Sequence, residues 1–143
     1  MPKVLLAVIV ALLMPQAVLA GDASALDEKL YRYRAEVVDV YDGDTVTVDL
    51  DLGFHVWKRG ERIRLAGIDA PEQRGERAAE GKASGDFLRD LILGKRVIIQ
   101  TIRAPDGADK KEKFGRYLGV IWLDGVNVND LIVEKGFAVR RDY

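Results

Sequence analysis

The stretch Glu61-Arg62-Ile63-Arg64-Leu65-Ala66-Gly67-Ile68-Asp69-Ala70-Pro71-Glu72 decides how this chain is organised. Ile63, Leu65 and Ile68 need a core, and Pro71, which has no N–H, cannot continue a sheet ladder. The stretch therefore predicts a buried strand that ends near Asp69 and enters a proline turn. An arginine, an aspartate and a glutamate emerge there from anchored backbone, which is how a rigid scaffold presents a site. Strict alternation puts Arg64 and Asp69 on opposite faces. A bulge at Gly67 shifts parity by one and lets both face one cleft.

Upstream, Ala35 to Tyr41 is rich in β-branched residues, and Asp42-Gly43 is a hairpin signal. Asp44 to Leu52 then alternates, with Val46, Val48, Leu50 and Leu52 on one face and Thr45, Thr47, Asp49 and Asp51 on the solvated one. Parity places Asp44 on the apolar face, where an acid is costly unless paired, hydrogen-bonded or metal-bound. Asp42 is ambiguous, since aspartate is a normal hairpin residue and the turn role alone could account for it. Gly53 to Gly60 is expected to connect this strand to the third.

Downstream, Gly75 to Leu93 predicts a helix with Ala79, Ala83, Phe87 and Leu91 four apart, Leu88 and Ile92 beside them, and Gly94 as its C-terminal cap. Gly81 and Gly85 each cost such a helix about 1 kcal/mol, so packing must support it. A strand over 95–103, a polar loop over 104–113 holding three lysines, a strand Tyr117 to Leu123, a turn at Asp124-Gly125 and a short helix around Val128, Leu131 and Ile132 follow. Phe137-Ala138-Val139 is expected to be a last strand. The order β-β-β-α-β-β-α over residues 35 to 143, undivided by any linker, predicts a mainly β domain with helices packed on a small closed sheet, as in a five-stranded Greek-key barrel.

The N-terminus is a separate matter. Lys3 precedes an uncharged apolar run from Val4 to Met14, and Val18-Leu19-Ala20 suits a cut before Gly21. Residues 1–20 are expected to be a signal peptide, too short in its apolar run to span a bilayer at ~20 residues, and residues 21–34 a tether or short helix. The mature protein is then secreted or periplasmic, with no stable membrane insertion. With 48% hydrophobic and 31% charged residues, the remainder is globular rather than disordered. Cleavage removes Lys3 from a chain with 22 basic and 23 acidic residues, so a polyanionic partner would have to be attracted by a local basic patch or a bound cation. Cysteine is absent, His55 is the only histidine, and neither Ser24 nor Ser84 lies in a nucleophile elbow. Thiol, multi-histidine zinc and serine hydrolase chemistry are thereby disfavoured.

What is left is carboxylates and arginines: Asp44, Arg64, Asp69, Glu72 and Arg116. Two aspartates on different strands suit a hard cation such as Ca²⁺, a nearby glutamate can orient or deprotonate water, and arginines grip phosphate with forked hydrogen bonds. The chemistry alone fits phosphodiester hydrolysis or a structural ion-pair network.

Asp42-Gly43-Asp44-Thr45, Arg64 through Asp69-Ala70-Pro71-Glu72, and Lys113-Phe114-Gly115-Arg116 resemble, in order and spacing, the motifs of the staphylococcal nuclease (thermonuclease) family over residues 35 to 140. The resemblance implies an OB-fold barrel with two to three helices and a monomeric enzyme that cleaves DNA and RNA, preferentially single-stranded, with Ca²⁺. By it, Asp44, Asp69 and the main-chain carbonyl of Ala70 hold the ion. Arg64 and Arg116 polarise the phosphate, and Glu72 is the general base. The 5′ P–O bond breaks to leave 3′-phosphate products, and Asp42 is an outer-shell ligand or only a turn residue. Lys113, Phe114, Tyr117 and Tyr143 are the substrate-contact candidates. Ala70 stands where the family often has threonine, and Phe114 where it has a phosphate-holding tyrosine. The alternative reading is a non-catalytic OB-fold oligonucleotide-binding module.

Overall fold

The computed structural model describes residues 29–142, so the expected leader, residues 21–28 of the expected tether, and Tyr143 lie outside the described residues. Of the unit Met1–Leu30 only Lys29 and Leu30 are described, both in a turn, and the unit Tyr31–Tyr143 carries the barrel. Strand β1 (Arg32–Val40) begins inside the stretch expected to be tether, because Arg32, Tyr33 and Arg34 pair with Gln100, Ile99 and Ile98 of strand β5 (Arg96–Thr101). A register shift between Val37 and Asp39 changes the parity of β1, so that Val37 and Val40 are both buried.

Strand β2 (Thr45–Asp51) buries Val46, Val48 and Leu50 as its alternation predicts, whereas Leu52, expected on the same face, lies beyond the strand and is exposed. Strand β3 (Trp57–Leu65) starts earlier than expected: Trp57 and Lys58, read as connection, pair with Asp51 and Leu50. The bulge lies in this strand at Arg59-Gly60, where the register slips opposite Asp49. Asp49 pins it, accepting from the Gly60 N–H at 2.8 Å and from Arg59 Nη1 at 2.7 Å. Gly67, where the bulge was expected, sits instead in a turn between β3 and the two-residue strand β4 (Ile68–Asp69). Its φ of +74° is one that glycine adopts without steric cost.

Helix α1 (Ala78–Ile92) follows, then β5, β6 (Tyr117–Leu123), β7 (Val126–Asn127), helix α2 (Val128–Glu134) and β8 (Val139–Arg140). Antiparallel pairs β3-β2-β1-β5-β6 and a parallel pairing of β3 with β6, from Ile63↔Tyr117 to Leu65↔Gly119, close five strands into a barrel. This is the OB-like α+β fold, with two helices among the described residues. Val37, Val46, Val48, Ile63, Leu65, Ile99 and Ile121 contribute to its core, joined by Leu88 and Ile92 of α1 and Val128 and Ile132 of α2. The Asn127 side chain caps α2 by accepting from the Asp130 N–H at 3.1 Å. Strand β8, shorter and later than expected, pairs with β4 through Ile68↔Arg140 and Asp69↔Val139.

The buried face of α1 keeps the expected Leu88 and Ile92, with Phe87 and Leu91 partly buried beside them, but its N-terminal half differs from the expected row of alanines. Ala79 and Ala83 are exposed, whereas Gly81, Ser84, Gly85, Leu88 and Ile92 are buried. The small residues are there because the helix lies against backbone: a Cβ on Gly81 would sit 2.2 Å from the Glu72 carbonyl oxygen and 2.7 Å from that of Pro71. Packing offsets the propensity cost of Gly81 by seating the helix on the Pro71–Glu72 turn. Gly81→Ala is expected to destabilise the fold by about 1–3 kcal/mol through overpacking, whereas Ala79→Gly on the exposed face should cost only the ~1 kcal/mol of helix propensity. Urea unfolding of both variants checks this, and a Gly81→Ala protein as stable as wild type would remove the close contact from the account.

Candidate active site

The barrel brings four motif residues to one mouth. Asp44 precedes β2, Arg64 and Asp69 flank the β3–β4 turn, and Arg116 precedes β6. With Glu72 they line a cleft of about 500 Å³, whose other walls include Tyr41, Lys110, Lys113, Phe114 and Arg141. A larger groove of about 770 Å³ lies at the opposite mouth, near Asp51, Trp57 and Trp122. There three arginines face Glu36, Asp51 and Asp124, and none of the motif residues is present.

The acid that parity placed on the apolar face is buried, with Asp44 6% exposed. Its Oδ2 accepts from the Ala70 N–H at 2.7 Å and its Oδ1 from the Thr45 hydroxyl at 3.2 Å, while its own N–H donates to Asp42 Oδ1 at 3.0 Å. Asp42 is thus the cap of an Asx-type turn that holds Asp44 in place. Burial pushes the Asp44 carboxyl up to about 7, reinforced by the adjacent Asp42 charge and opposed by Arg64 and the Ala70 N–H. Thr45, expected on the solvated face, is fully buried, because its hydroxyl bridges Asp44 to Arg116 Nη1 at 3.0 Å.

Arg64 is as buried as Asp44. Its Nη1 donates to the carbonyls of Leu65 at 3.2 Å and Ile68 at 3.1 Å, and its Nη2 lies 3.1 Å from Asp44 Oδ2 and 2.9 Å from Asp69 Oδ1. Arg64 and Asp69 therefore share a face, as the sequence reading required, but the Ala66-Gly67 turn and not a bulge achieves it. That turn is held from behind by Asn129, a buried side chain that donates to the carbonyls of Ala66 at 2.9 Å and Gly119 at 3.0 Å and accepts from the Ile121 N–H at 3.1 Å.

Two hard-oxygen carboxylates that converge on a single nitrogen position are suited to a hard cation. Among the described residues no group of three or more His, Cys, Asp or Glu side chains could hold a metal. Asp44 and Asp69 would therefore need backbone carbonyl, water or substrate oxygens to complete a shell, as Ca²⁺ sites commonly use. The Ala70 backbone, tied to Asp44, is adjacent.

Arg116 is oriented by contacts that motif reading did not find. Its Nε and backbone N–H both donate to Glu112 Oε1, at 3.0 and 3.1 Å, with the Glu112 side chain 6% exposed. Hydrogen bonds from Arg116 hold the Glu112 carboxyl down at about 2, against the opposing effect of its burial. Arg141 is the other missed residue, donating from Nη1 to Asp69 Oδ2 at 2.9 Å. Glu112 stands four residues before Arg116 in what reads as a solvated loop, and Arg141 reaches Asp69 only because β8 pairs with β4. Glu72 is exposed at the rim. Lys113 and Phe114 line the cleft, with Phe114 73% exposed. Tyr117 is not among the lining residues; its ring carries Lys58 at 5.0 Å and Lys111 at 4.3 Å. His55 is exposed in the β2–β3 connection and does not line the cleft.

The profile of the family described as "Staphylococcal nuclease homologue" matches residues 62–143. The chain belongs to that family. It is 36% identical over 103 residues to a protein of Escherichia coli O157:H7 named "Uncharacterized endonuclease", covering 71% of this chain and 57% of that one. It is 32% identical over 107 residues to the "Thermonuclease" of Staphylococcus intermedius (73% and 57%), and 32% identical over 117 residues to the "Micrococcal nuclease" of Shigella flexneri (74% and 57%). The chain thus spans little more than half the length of these relatives.

The Glu112–Arg116 pair makes a stability prediction whose sign follows from the depressed carboxyl. Its contribution is complete above the ordinary glutamate value of about 4.3 and is lost as pH falls toward about 2. Glu112→Gln should therefore lower stability to urea more at about pH 6 than at about pH 3. An equal loss at both pH values would show that the charge of Glu112 contributes nothing.

Proposed function

We propose that this chain is a divalent-cation-dependent nuclease that hydrolyses phosphodiester bonds of DNA and RNA with little sequence specificity. The observation that carries the reading is the convergence of Asp44, Arg64, Asp69 and Arg116 in one cleft with Glu72 at its rim. Membership of the family supports the same reaction class. Asp44, Asp69 and the Ala70 carbonyl would hold the cation, and Ca²⁺ is the ion that their hard-oxygen character and the family favour. When bound, it supplies positive charge beside the phosphate and lowers the cost of developing negative charge there.

This chain's own residues do the rest. Glu72, exposed at the rim, accepts a proton from a water whose oxygen forms a new bond to phosphorus. The 5′ P–O bond breaks, its oxygen leaves with a proton, and a 3′-phosphate remains. Arg116 is held by Glu112 through Nε and by Thr45 through Nη1, and no hydrogen bond from Nη2 to a described residue accompanies them. That edge can donate to a phosphate oxygen and stabilise charge in the transition state. Arg64, deeper and bound to both carboxylates, adds positive charge at the base of the cleft. Phe114 and Lys113 offer a ring face and a cation to an unpaired stretch, which favours single-stranded substrate. The expected leader assigns the monomeric enzyme to the periplasm or the medium.

One observation favours the binding-only alternative: Arg64 already spans the two carboxylates, as in a structural ion-pair network. Incubating the purified protein with denatured DNA, with Ca²⁺ or with chelator, separates the readings. Cleavage that requires Ca²⁺ is expected, and none above background would leave only the binding module. Glu72→Gln should fold normally and lose roughly 10²–10⁴-fold in turnover, whereas wild-type turnover in that variant would remove Glu72 from the mechanism. Arg116→Ala should lose on the order of 10²-fold in kcat if it acts on the transition state; a change confined to KM would make it a binding residue.

A further inference from the structure

Lys111 and Lys113, which line the cleft, and Arg62, which lies over the ring of a lining residue, have no hydrogen bond or ion pair to a carboxylate among the described residues, and each lies over an aromatic ring. Lys111 is on Tyr117 and Lys113 on Phe114 at 4.8 Å; Arg62 stands over Tyr41 at 5.2 Å. The motif reading reaches two of these rings and leaves the third without a role. Tyr41 lines the cleft, is 54% exposed and does not belong to the buried core cluster. Its backbone is nevertheless fixed from both sides. The Tyr41 N–H donates to the Thr45 carbonyl at 3.0 Å, and its carbonyl accepts from Gln73 Nε2 at 3.1 Å. Arg62 comes from β3, opposite Thr47 of β2 and two residues before Arg64. Trp57 provides the contrast: the arginine over its ring, Arg59, is neutralised by Asp49.

We propose that Tyr41 and Arg62 form a subsite for one unpaired nucleobase and its neighbouring phosphate, separate from Lys113 and Phe114. A phenol ring on pinned backbone is a stacking platform that any base can use, and a guanidinium without a carboxylate partner is suited to a phosphate oxygen. A base held in a duplex has both faces stacked and cannot use the ring, so the subsite discriminates in favour of single strands. It also supplies local positive charge that the near-neutral chain lacks as a whole. The proposal rests on the nuclease reading for its substrate class, not for its geometry.

The test is fluorescence anisotropy in chelator, where no metal-dependent cleavage proceeds, with a labelled single-stranded oligonucleotide and with the same sequence as a duplex. Tyr41→Ala should weaken single-strand binding by roughly 5- to 100-fold, the range of one base stack, and leave duplex binding unchanged, with Tyr41→Phe retaining the wild-type value. Arg62→Ala should weaken single-strand binding and reduce the slope of log affinity against log salt by about one phosphate contact. Thermal melts verify folding, which an exposed tyrosine and an exposed arginine should not disturb. Single-strand affinities equal to wild type, equal losses for single strand and duplex on Tyr41→Ala, or a wild type that binds no oligonucleotide would each overturn the subsite. Cleavage with Ca²⁺ is scored separately. A protein that cleaves but ignores both substitutions sinks the subsite alone, whereas one that binds through Tyr41 and Arg62 and never cleaves sinks the nuclease reading alone.

Discussion

The site depends on one guanidinium placed between two carboxylates. Arg64 and Asp44 are both buried, and taking either charge out of water alone would cost several kcal/mol. Together, and with two main-chain carbonyls and the Ala70 N–H as partners, they become tolerable. The arrangement also fixes backbone, because the Leu65 N–H donates to the Asp44 carbonyl at 2.8 Å and so locks the start of β2 to the end of β3. Asp69, more exposed, is drawn to the same nitrogen from the far side of the turn. A network of this kind contributes little net stability compared with apolar packing, but it allows few alternative arrangements of the three side chains.

Around it the fold supplies support from every side. Asn129 holds the β3–β4 turn, β8 holds β4, and α1 presses its small residues against the Pro71–Glu72 backbone. The backbone of the exposed Glu72 is thus backed by the helix while its side chain faces solvent. The same logic applies to Arg116, whose guanidinium is fixed at one end by a glutamate and at the other by a threonine. Segments that look peripheral in the chain, a polar loop and the residue after a two-residue final strand, contribute Glu112 and Arg141 to the central charge cluster.

The legible parts of the sequence were those written in local pattern. Alternation in β2, the turn at Asp124-Gly125 and the strand Tyr117–Leu123 follow from periodicity and turn chemistry, and the buried position of Asp44 follows from parity. Where the local pattern misleads, a contact distant in sequence or an ambiguous glycine decides. Thr45 was assigned to solvent because alternation knows nothing of a hydroxyl shared between an aspartate and an arginine. On α1 the spacing finds the buried Leu88 and Ile92 but puts Ala79 and Ala83 on the inner face, where Gly81, Ser84 and Gly85 stand instead because the helix lies against backbone. The shared face of Arg64 and Asp69 was correctly required but ascribed to the wrong device, since a glycine with positive φ serves a bulge or a turn equally well. In this chain Gly60 has the bulge and Gly67 the turn.

This difference between bulge and turn bears on what the site can do. A bulge at Gly67 would have kept Arg64 and Asp69 on one continuous strand, with their separation fixed by the pleat. The turn interrupts the strand between them, so that Asp69 stands on a separate short strand, β4, which is paired with β8. Asp69 is therefore held by contacts from two parts of the chain, through Arg64 on β3 and Arg141 just after β8, while Asp44 is held by Arg64 and Thr45 of the barrel and by the Ala70 N–H just past β4. Of the two carboxylates, Asp44 is the buried one and Asp69 the more exposed. In the proposed reaction, Asp69 is therefore the one that an ion arriving from solvent would meet first.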